Sequence, residues 1–351
     1  MSSTSTTVFI ATPVEEELVQ RIRESVSGVE VLYDASLLPS PQFPSDHVGD
    51  PGFRRDPDAQ RRFDSWAERA EVTLGVPGDT PEGLRDLVAR AGRLRWVHGT
   101  SAGAGELVRA AGLSAADLQR VTFTSSVGVH ATQLAEWAML GLLAFTKDLP
   151  RLQRDKAARR WEHYAVRELA GQRLLVVGLG HIGREVARCA RALGMHVTGV
   201  RRTPREGDLD WVDRTASTAE LVDVVPSADA VVLALPATVE TRGMFTAELI
   251  DALPEHAVLV NVGRGSTIDE PALVAALRER RLAGAALDVA ATEPLPPDSP
   301  LWDLDNVLLS PHTAALSTRE NERIVELFCD NLRRLQNGEP LRNRVDTTLF
   351  Y

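Results

Sequence analysis

Residues 173–192 read RLLVVGLGHIGREVARCARA. The apolar run Arg173–Val177 passes straight into Gly178, Gly180 and Gly183, and an Ala/Val-rich stretch at helical spacing follows. Each glycine has its own reason to be there. Gly178 permits a tight turn, Gly180 lets backbone approach a pyrophosphate, and Gly183 packs helix against strand. The helix beginning at His181 and Ile182 then offers unpaired N–H groups and a favourable dipole to phosphates. A glycine-rich turn alone would say little, but a strand before it and a helix after it predict a βαβ unit that binds a dinucleotide.

Downstream, GMHVTGVRRTP (194–204) ends the next predicted strand, Val197–Val200. A carboxylate that accepts from an adenosine ribose hydroxyl normally stands about 20 residues past the glycines. Here that position holds Arg201, followed by Arg202 and Thr203, and no acid occurs until Glu206. Two guanidinium forks beside a hydroxyl suit a 2′-phosphate better than a ribose diol. NADP is the expected cofactor, with NAD less favoured.

Alternation of strand and helix extends in both directions. Upstream, short apolar runs at Thr7–Ala11, Val29–Tyr33, Val72–Val76, Leu94–His98 and Val121–Phe123 read as strands, with helices such as Val14–Ser25 and Pro81–Ala91 between them. Pro39–Asp58, with five prolines, reads as a long functional loop. Ala131–Leu149 is apolar at helical spacing, and the polar RLQRDKAARRW (151–161) reads as a linker. Beyond the glycine motif, Ala230–Ala234, Ala257–Asn261, Ala285–Asp288 and Val307–Ser310 read as strands. Helices are expected at Ile182–Ala192, Thr218–Val225, Ala272–Arg281 and Asn321–Gln336. Such alternation means parallel sheets and an α/β fold.

Composition narrows the function. The chain has 351 residues, enough for two domains, with 44% hydrophobic and 25% charged residues and a net charge of −10. With no long basic run, neither nucleic acid nor an anionic membrane is an expected partner. No stretch is apolar enough to span a bilayer, and the first residues lack a basic n-region, so a cytoplasmic place is expected. Cys189 and Cys329 make neither a disulfide framework nor a metal site. His47, in DHVGD, has carboxylates nearby at unconvincing spacing, and no metal is expected. Two lysines, Lys147 and Lys156, against 37 arginines make lysine-based covalent chemistry a poor prospect.

Three stretches place polar residues just past predicted strands: VNVGRG (260–265), ALDVAATEPLP (286–296) and LLSPHTAA (308–315). Ligands bind at that edge of an open parallel sheet. Hydride transfer to a carbonyl needs a proton donor, a group that favours its charged form, and a cation for the substrate; His312, Glu293 and Arg264 supply these. Singly, each reads as an ordinary surface residue. Their joint occurrence at strand ends is what carries weight.

These motifs, with the AGA turn at Ala102–Ala104 and the closing GEPLRNRVD (338–346), resemble the D-isomer-specific 2-hydroxyacid dehydrogenases along nearly the whole chain. The resemblance implies His312 as acid/base, Glu293 as its partner, and Arg264 orienting the substrate. It implies that backbone at Ala102 and Gly103 holds the substrate carboxylate and that Asp288 meets the nicotinamide carboxamide. His181, Ile182, Pro236 and Val262 are implied as further cofactor contacts. Ala314 and Ala315 depart from the glycines that often follow the family's histidine. His98, ending a strand beside the carboxylate loop, is a weaker candidate for lining the cleft.

The implied architecture is two doubly wound parallel-sheet domains, with a Rossmann cofactor domain (126–317) inserted into a discontinuous flavodoxin-like substrate domain (1–125 and 318–351). A homodimer is implied, supported by the Ala131–Leu149 helix. The expected activity is NADP-dependent reduction of small 2-oxoacids such as glyoxylate or hydroxypyruvate to D-2-hydroxyacids. Two alternatives stand beside it. The absence of an added partner-binding tail speaks against a nucleotide-sensing corepressor-like protein, and Arg201 speaks against a NAD-dependent formate or phosphite dehydrogenase.

Overall fold

The computed structural model describes residues 5–203 and 209–350. The chain divides into two compact units, one of Met1–His130 with Leu316–Tyr351, the other of Ala131–Ala315.

In the first unit, β1 (Thr6–Ile10), β2 (Val29–Leu32), β3 (Val72–Leu74), β4 (Trp96–His98) and β5 (Thr122–Thr124) form a parallel sheet in the order β2-β1-β3-β4-β5. This is the flavodoxin-like order, with its switch point between β1 and β3. The C-terminal helix Glu320–Asn337 returns to this unit for a packing reason. Its Ile324, Val325, Phe328 and Leu332 bury against Leu18, Val19 and Ile22 of helix Glu16–Ser25. Phe328 also stacks on Trp96 of β4, ring centroids 4.9 Å apart.

In the second unit, β6 (Arg173–Val177), β7 (His196–Arg201), β8 (Arg214–Ser217), β9 (Ala230–Leu233), β10 (Val258–Asn261), β11 (Gly284–Leu287) and β12 (Val307–Leu309) are again parallel. Their order is β12-β11-β10-β9-β6-β7-β8. Counted from β6, this is the Rossmann order with one extra strand, and the switch point lies between β6 and β9. The central strands β9, β10 and β11 are buried at every residue, as expected for a sheet covered on both faces. Helix Ala131–Thr146 covers one face at close range. A Cβ on its Gly141 would come within 2.5 Å of Ala286 Cβ on β11. Among the described residues, no helix is long and apolar enough to cross a membrane.

Four local expectations change. The polar stretch after the long helix is itself helical, Leu149–Ala157. Asp148, at φ +53°, ends the first helix and caps the second, its Oδ1 accepting from Arg151 N–H at 3.3 Å, and Arg151 pairs with Asp155 one turn on. Thus the apolar helix stops at Thr146 rather than Leu149. Strand β8, RTAS, has no apolar pattern of its own; register with β7 defines it. The proline-rich loop gives way at Pro57 to helix Pro57–Arg69, capped by Asp56, whose Oδ1 accepts from Ala59 N–H at 2.8 Å.

Candidate active site

The glycine turn sits at the switch point of the second unit's sheet. Gly178 has φ +105°, and a Cβ there would meet Ala234 O at 2.6 Å, so no other residue fits without moving β9's end. Gly183 is closed off as well, with a Cβ only 1.8 Å from Gly178 O. Around Gly180 a Cβ would meet nothing within 4 Å. That open position, at the cap of helix His181–Ala192 with no side-chain cap bond, leaves first-turn N–H groups for an anion. The turn therefore fits a pyrophosphate. His181 is exposed, Ile182 half-buried, and Pro236 exposed, with its carbonyl accepting from Thr241 Oγ1–H at 2.6 Å. Val262 is buried, its N–H donating to Leu233 O at 3.0 Å.

Arg201 is the last residue of β7, paired in register with Ser217, and Arg202 and Thr203 follow it, both exposed. Among the described residues neither guanidinium has a carboxylate within 4 Å. Arg202 is nonetheless felt by Glu240, whose carboxyl is held below its usual range chiefly by the Thr238 hydroxyl and in part by that cation. Glu206 lies outside the described residues.

The catalytic candidates sit on three loops beyond β10, β11 and β12, and hydrogen bonds stitch these loops together. After β10, Asn261 is fully buried; its Oδ1 accepts from Gly263 N–H at 3.0 Å and its Nδ2 donates to Arg264 O at 3.1 Å. Thr267 Oγ1 donates to the same carbonyl at 2.7 Å. The Arg264 backbone is thus held while its half-buried side chain stays available, with Nη1 donating to Gly263 O at 2.9 Å. Gly265 lies so close to the next loop that a Cβ would reach Ala290 O at 1.9 Å. Glu270 reinforces the junction, accepting from Ala291 N–H at 2.7 Å.

After β11, the buried Asp288 reaches toward the loop after β12. Its Oδ1 accepts from Ser310 Oγ–H at 2.7 Å and Ala314 N–H at 3.0 Å, and its carbonyl accepts from His312 N–H at 2.9 Å. Glu293 is gripped at both oxygens: Oε1 accepts from Ala290 N–H at 3.1 Å, and Oε2 from His312 Nδ1–H at 2.7 Å. An ionised carboxylate can only accept, so Nδ1 carries the proton and Nε2 is left for substrate. His312 also has φ +56°, a sparsely populated backbone region for a residue with a side chain. Strain of this kind persists where surrounding bonds over-determine it.

In the first unit, Gly103 caps helix Ala104–Ala111 without a side-chain cap bond, and Ala102 before it is exposed. Its turn is pinned by Ser126, whose N–H donates to Ser101 O at 3.1 Å and whose hydroxyl donates to Gly99 O at 2.9 Å. His98 does not line a cleft. It is fully buried beside Trp96 and Phe328, with Nδ1 at 2.7 Å from Thr124 Oγ1, and burial pulls its pKa down to about 3. His47 is engaged through Nε2 at 2.7 Å from Asn321 Oδ1. The proline-rich loop is ordered by Asp46, which accepts from the N–H groups of Gln42, Val48 and Gly49. Burial opposes ionisation of Asp46, but these bonds prevail and hold its pKa down. A cavity of about 480 Å³ lies under this loop.

Sequence reasoning missed Asn261, Thr267, Glu270 and Ser310, which position the site without reaching its reacting atoms. For Asn261 and Ser310 the visible signal was a polar residue at or just past an apolar strand, as in VLVN and VLLS.

The chain is similar in sequence and fold to known proteins. The family description "D-isomer specific 2-hydroxyacid dehydrogenase, NAD binding domain" matches residues 139–314. A glyoxylate reductase of Korarchaeum cryptofilum is 34% identical over 232 residues, 64% of this chain and 68% of that protein. A D-isomer specific 2-hydroxyacid dehydrogenase of Xanthobacter autotrophicus Py2, solved with NADPH and MES, is 30% identical with a TM-score of 0.75, covering 99% of this chain and 100% of that one. The NADPH-dependent glyoxylate/hydroxypyruvate reductase of Sinorhizobium meliloti, solved with NADP and sulfate, is 26% identical with a TM-score of 0.75 over 99% and 100% of the two chains.

Proposed function

The chain belongs to the D-isomer-specific 2-hydroxyacid dehydrogenases, and on that premise we propose that it is an NADPH-preferring reductase of small 2-oxoacids, glyoxylate or hydroxypyruvate among them, yielding D-2-hydroxyacids. The observation that carries this reading is the His312–Glu293 pair at 2.7 Å, set on the same stitched loops as Arg264. When bound, the nicotinamide cofactor supplies the hydride. His312, protonated on both ring nitrogens, gives its Nε2 proton to the developing alkoxide while Glu293 balances the imidazolium charge. Arg264 bonds the oxo oxygen and one carboxylate oxygen, a contact that strengthens as negative charge grows. Asp288 Oδ1 is already occupied by Ser310 and Ala314, so Oδ2 is the oxygen assigned to the carboxamide. Arg201, Arg202 and Thr203 would receive the 2′-phosphate and the glycine turn the pyrophosphate, with His181, Ile182, Pro236 and Val262 as further cofactor contacts.

The same reading includes a homodimer, supported by Leu140 and Leu143 of helix Ala131–Thr146 and Leu152 of the next helix, all exposed. It also includes a cytoplasmic place with no nucleic-acid partner, in keeping with a net charge of −10. Following NADPH and NADH absorbance with glyoxylate, hydroxypyruvate, pyruvate and phenylpyruvate tests the assignment. A higher kcat/KM with NADPH than with NADH, and with glyoxylate and hydroxypyruvate than with the other two acids, is expected. A higher kcat/KM with NADH refutes the cofactor choice, and inactivity on all four acids refutes the substrate class.

A further inference from the structure

A carboxylate does stand near the end of β7, but it comes from the loop after β9. In the seven-stranded sheet β6 lies between those two strands. Val177 of β6 pairs with Val200 of β7 on one side and with Leu233 of β9 on the other, so the three strands end level. The ladders run one residue further: Gly178 N–H donates to Val200 O at 3.0 Å, and Ala234 N–H donates to Val177 O at 2.9 Å. Arg201 and Ala234 therefore stand on opposite sides of the glycine turn, two strand spacings or about 10 Å apart. A group lying over that turn has Arg201 and Arg202 on one flank and the segment after β9 on the other.

That segment is a built turn. Thr241 is buried; its Oγ1 donates to Pro236 O at 2.6 Å and accepts from Thr238 N–H at 2.8 Å. Arg242 N–H donates to Thr238 O at 3.1 Å. These bonds fix the base of the turn and leave its tip standing clear, with Val239 95% exposed and Glu240 exposed as well. The Glu240 side chain is nonetheless held, since its Oε2 accepts from Thr238 Oγ1–H at 2.8 Å. A hydroxyl donor orients a carboxylate without cancelling its charge. The Glu240 carboxyl is held below its usual range by that hydroxyl first, then by its own backbone N–H, then by the Arg202 cation. Glu240 and Arg202 thus lie within electrostatic reach of each other across the glycine turn, and among the described residues they form no salt bridge.

An anion that binds Arg202 enters the field of this carboxylate. We propose that Glu240 is a specificity-determining residue of the cofactor site and acts against the 2′-phosphate. It attracts the guanidinium that the phosphate needs and repels the phosphate itself, which narrows the margin by which NADPH is preferred to NADH. NADH carries a neutral hydroxyl at that point. The pyrophosphate is common to both cofactors, so its own interaction with Glu240 cancels in the ratio of their affinities. The inference rests on the reading that Arg201 and Arg202 receive the 2′-phosphate.

Fluorescence titration of the full chain with NADPH and with NADH tests it, comparing wild type, Glu240→Gln and Arg202→Gln. Glutamine keeps the shape of Glu240 and can still accept from Thr238, so only the charge is removed. Glu240→Gln should tighten NADPH relative to NADH about three- to tenfold at about 10 mM salt, and the gain should shrink at about 1 M salt, where the screening length is about 3 Å. Arg202→Gln should weaken NADPH relative to NADH about tenfold. An unchanged affinity ratio in Glu240→Gln, beside a reduced one in Arg202→Gln, would overturn the role of Glu240 and leave the phosphate site standing. An unchanged ratio in both variants would take the 2′-phosphate away from Arg202 and overturn both readings. A gain of equal size at the two salt concentrations would be steric rather than electrostatic, and would overturn the proposal too.

Discussion

Replacing Gly180 and Gly183 by alanine separates cofactor contact from helix packing, because the two glycines meet opposite surroundings. A Cβ on Gly183 would lie 1.8 Å from Gly178 O and 3.0 Å from Gly178 C, whereas real Cβ atoms stay beyond about 3.0 Å of any such neighbour. Accommodating it would push helix His181–Ala192 away from β6 by more than an ångström. The atoms in the way are backbone and cannot rotate aside. Overpacking of this kind costs up to about 3 kcal/mol, which for a unit of this size lowers Tm by roughly 6–12 °C. A Cβ on Gly180 meets nothing within 4 Å, and its φ of −80° suits alanine. The variant should lose only about 1 kcal/mol, the difference between glycine and alanine at a helix cap. The added methyl would stand where a pyrophosphate must approach the first-turn N–H groups. Losing one charge-assisted bond there should raise the NADPH Kd roughly 10- to 150-fold. Melting curves and NADPH fluorescence titrations of both variants measure the two effects. Wild-type NADPH affinity in Gly180→Ala, or a wild-type Tm in Gly183→Ala, would refute the assignment of the turn.

The remaining expectations concern chemistry, cofactor choice, pH and assembly. His312→Ala should cut kcat by roughly 10²–10⁴-fold with NADPH affinity nearly intact, and Glu293→Gln should lower kcat by less; full activity in His312→Ala would exclude it as the acid. Arg201→Asp should weaken NADPH and improve NADH in kcat/KM, and an unchanged NADPH/NADH ratio would remove Arg201 from the cofactor site. His98 is neutral when folded down to about pH 3 but takes a proton near pH 6.5 when unfolded. Stability is thus complete above pH 6.5 and falls toward pH 3, by up to about 1.4 kcal/mol per pH unit from this group. His98→Phe should flatten that slope in chemical unfolding between pH 7 and 4.5, and an identical slope would contradict it. Leu140→Glu should shift the particle from dimer to monomer in light scattering, and an unchanged dimer would place the interface elsewhere.

Sequence and structure differ in what they resolve because local and non-local constraints leave different traces. The glycine turn, the buried strands β6 and β9–β11, and the positions of Arg264, Glu293 and His312 past strand ends were legible because each is written within a few consecutive residues. A tight turn demands glycine, and a strand covered on both faces demands an unbroken apolar run. Strand β8 was not legible, because Arg214–Ser217 has no pattern and is a strand only through its register with β7. Helix Leu149–Ala157 was obscured by its polar composition, although the Asp148 cap and Pro150 were signals of a helix start.

The sequence by itself determined the α/β class, the presence of a dinucleotide turn, and the placing of an arginine, a carboxylate and a histidine just past strand ends. Only the tertiary structure decided which partners those groups have. Glu293 reaches His312 across 19 residues, Asp288 reaches Ser310 across 22, and Glu270 reaches Ala291 N–H across 21. The contacts bring together loops from separate strands, and strand order, which no local pattern encodes, makes those loops neighbours. His98 shows the converse. At the end of a strand it reads as a site residue, yet β5 and the returning C-terminal helix bury it completely.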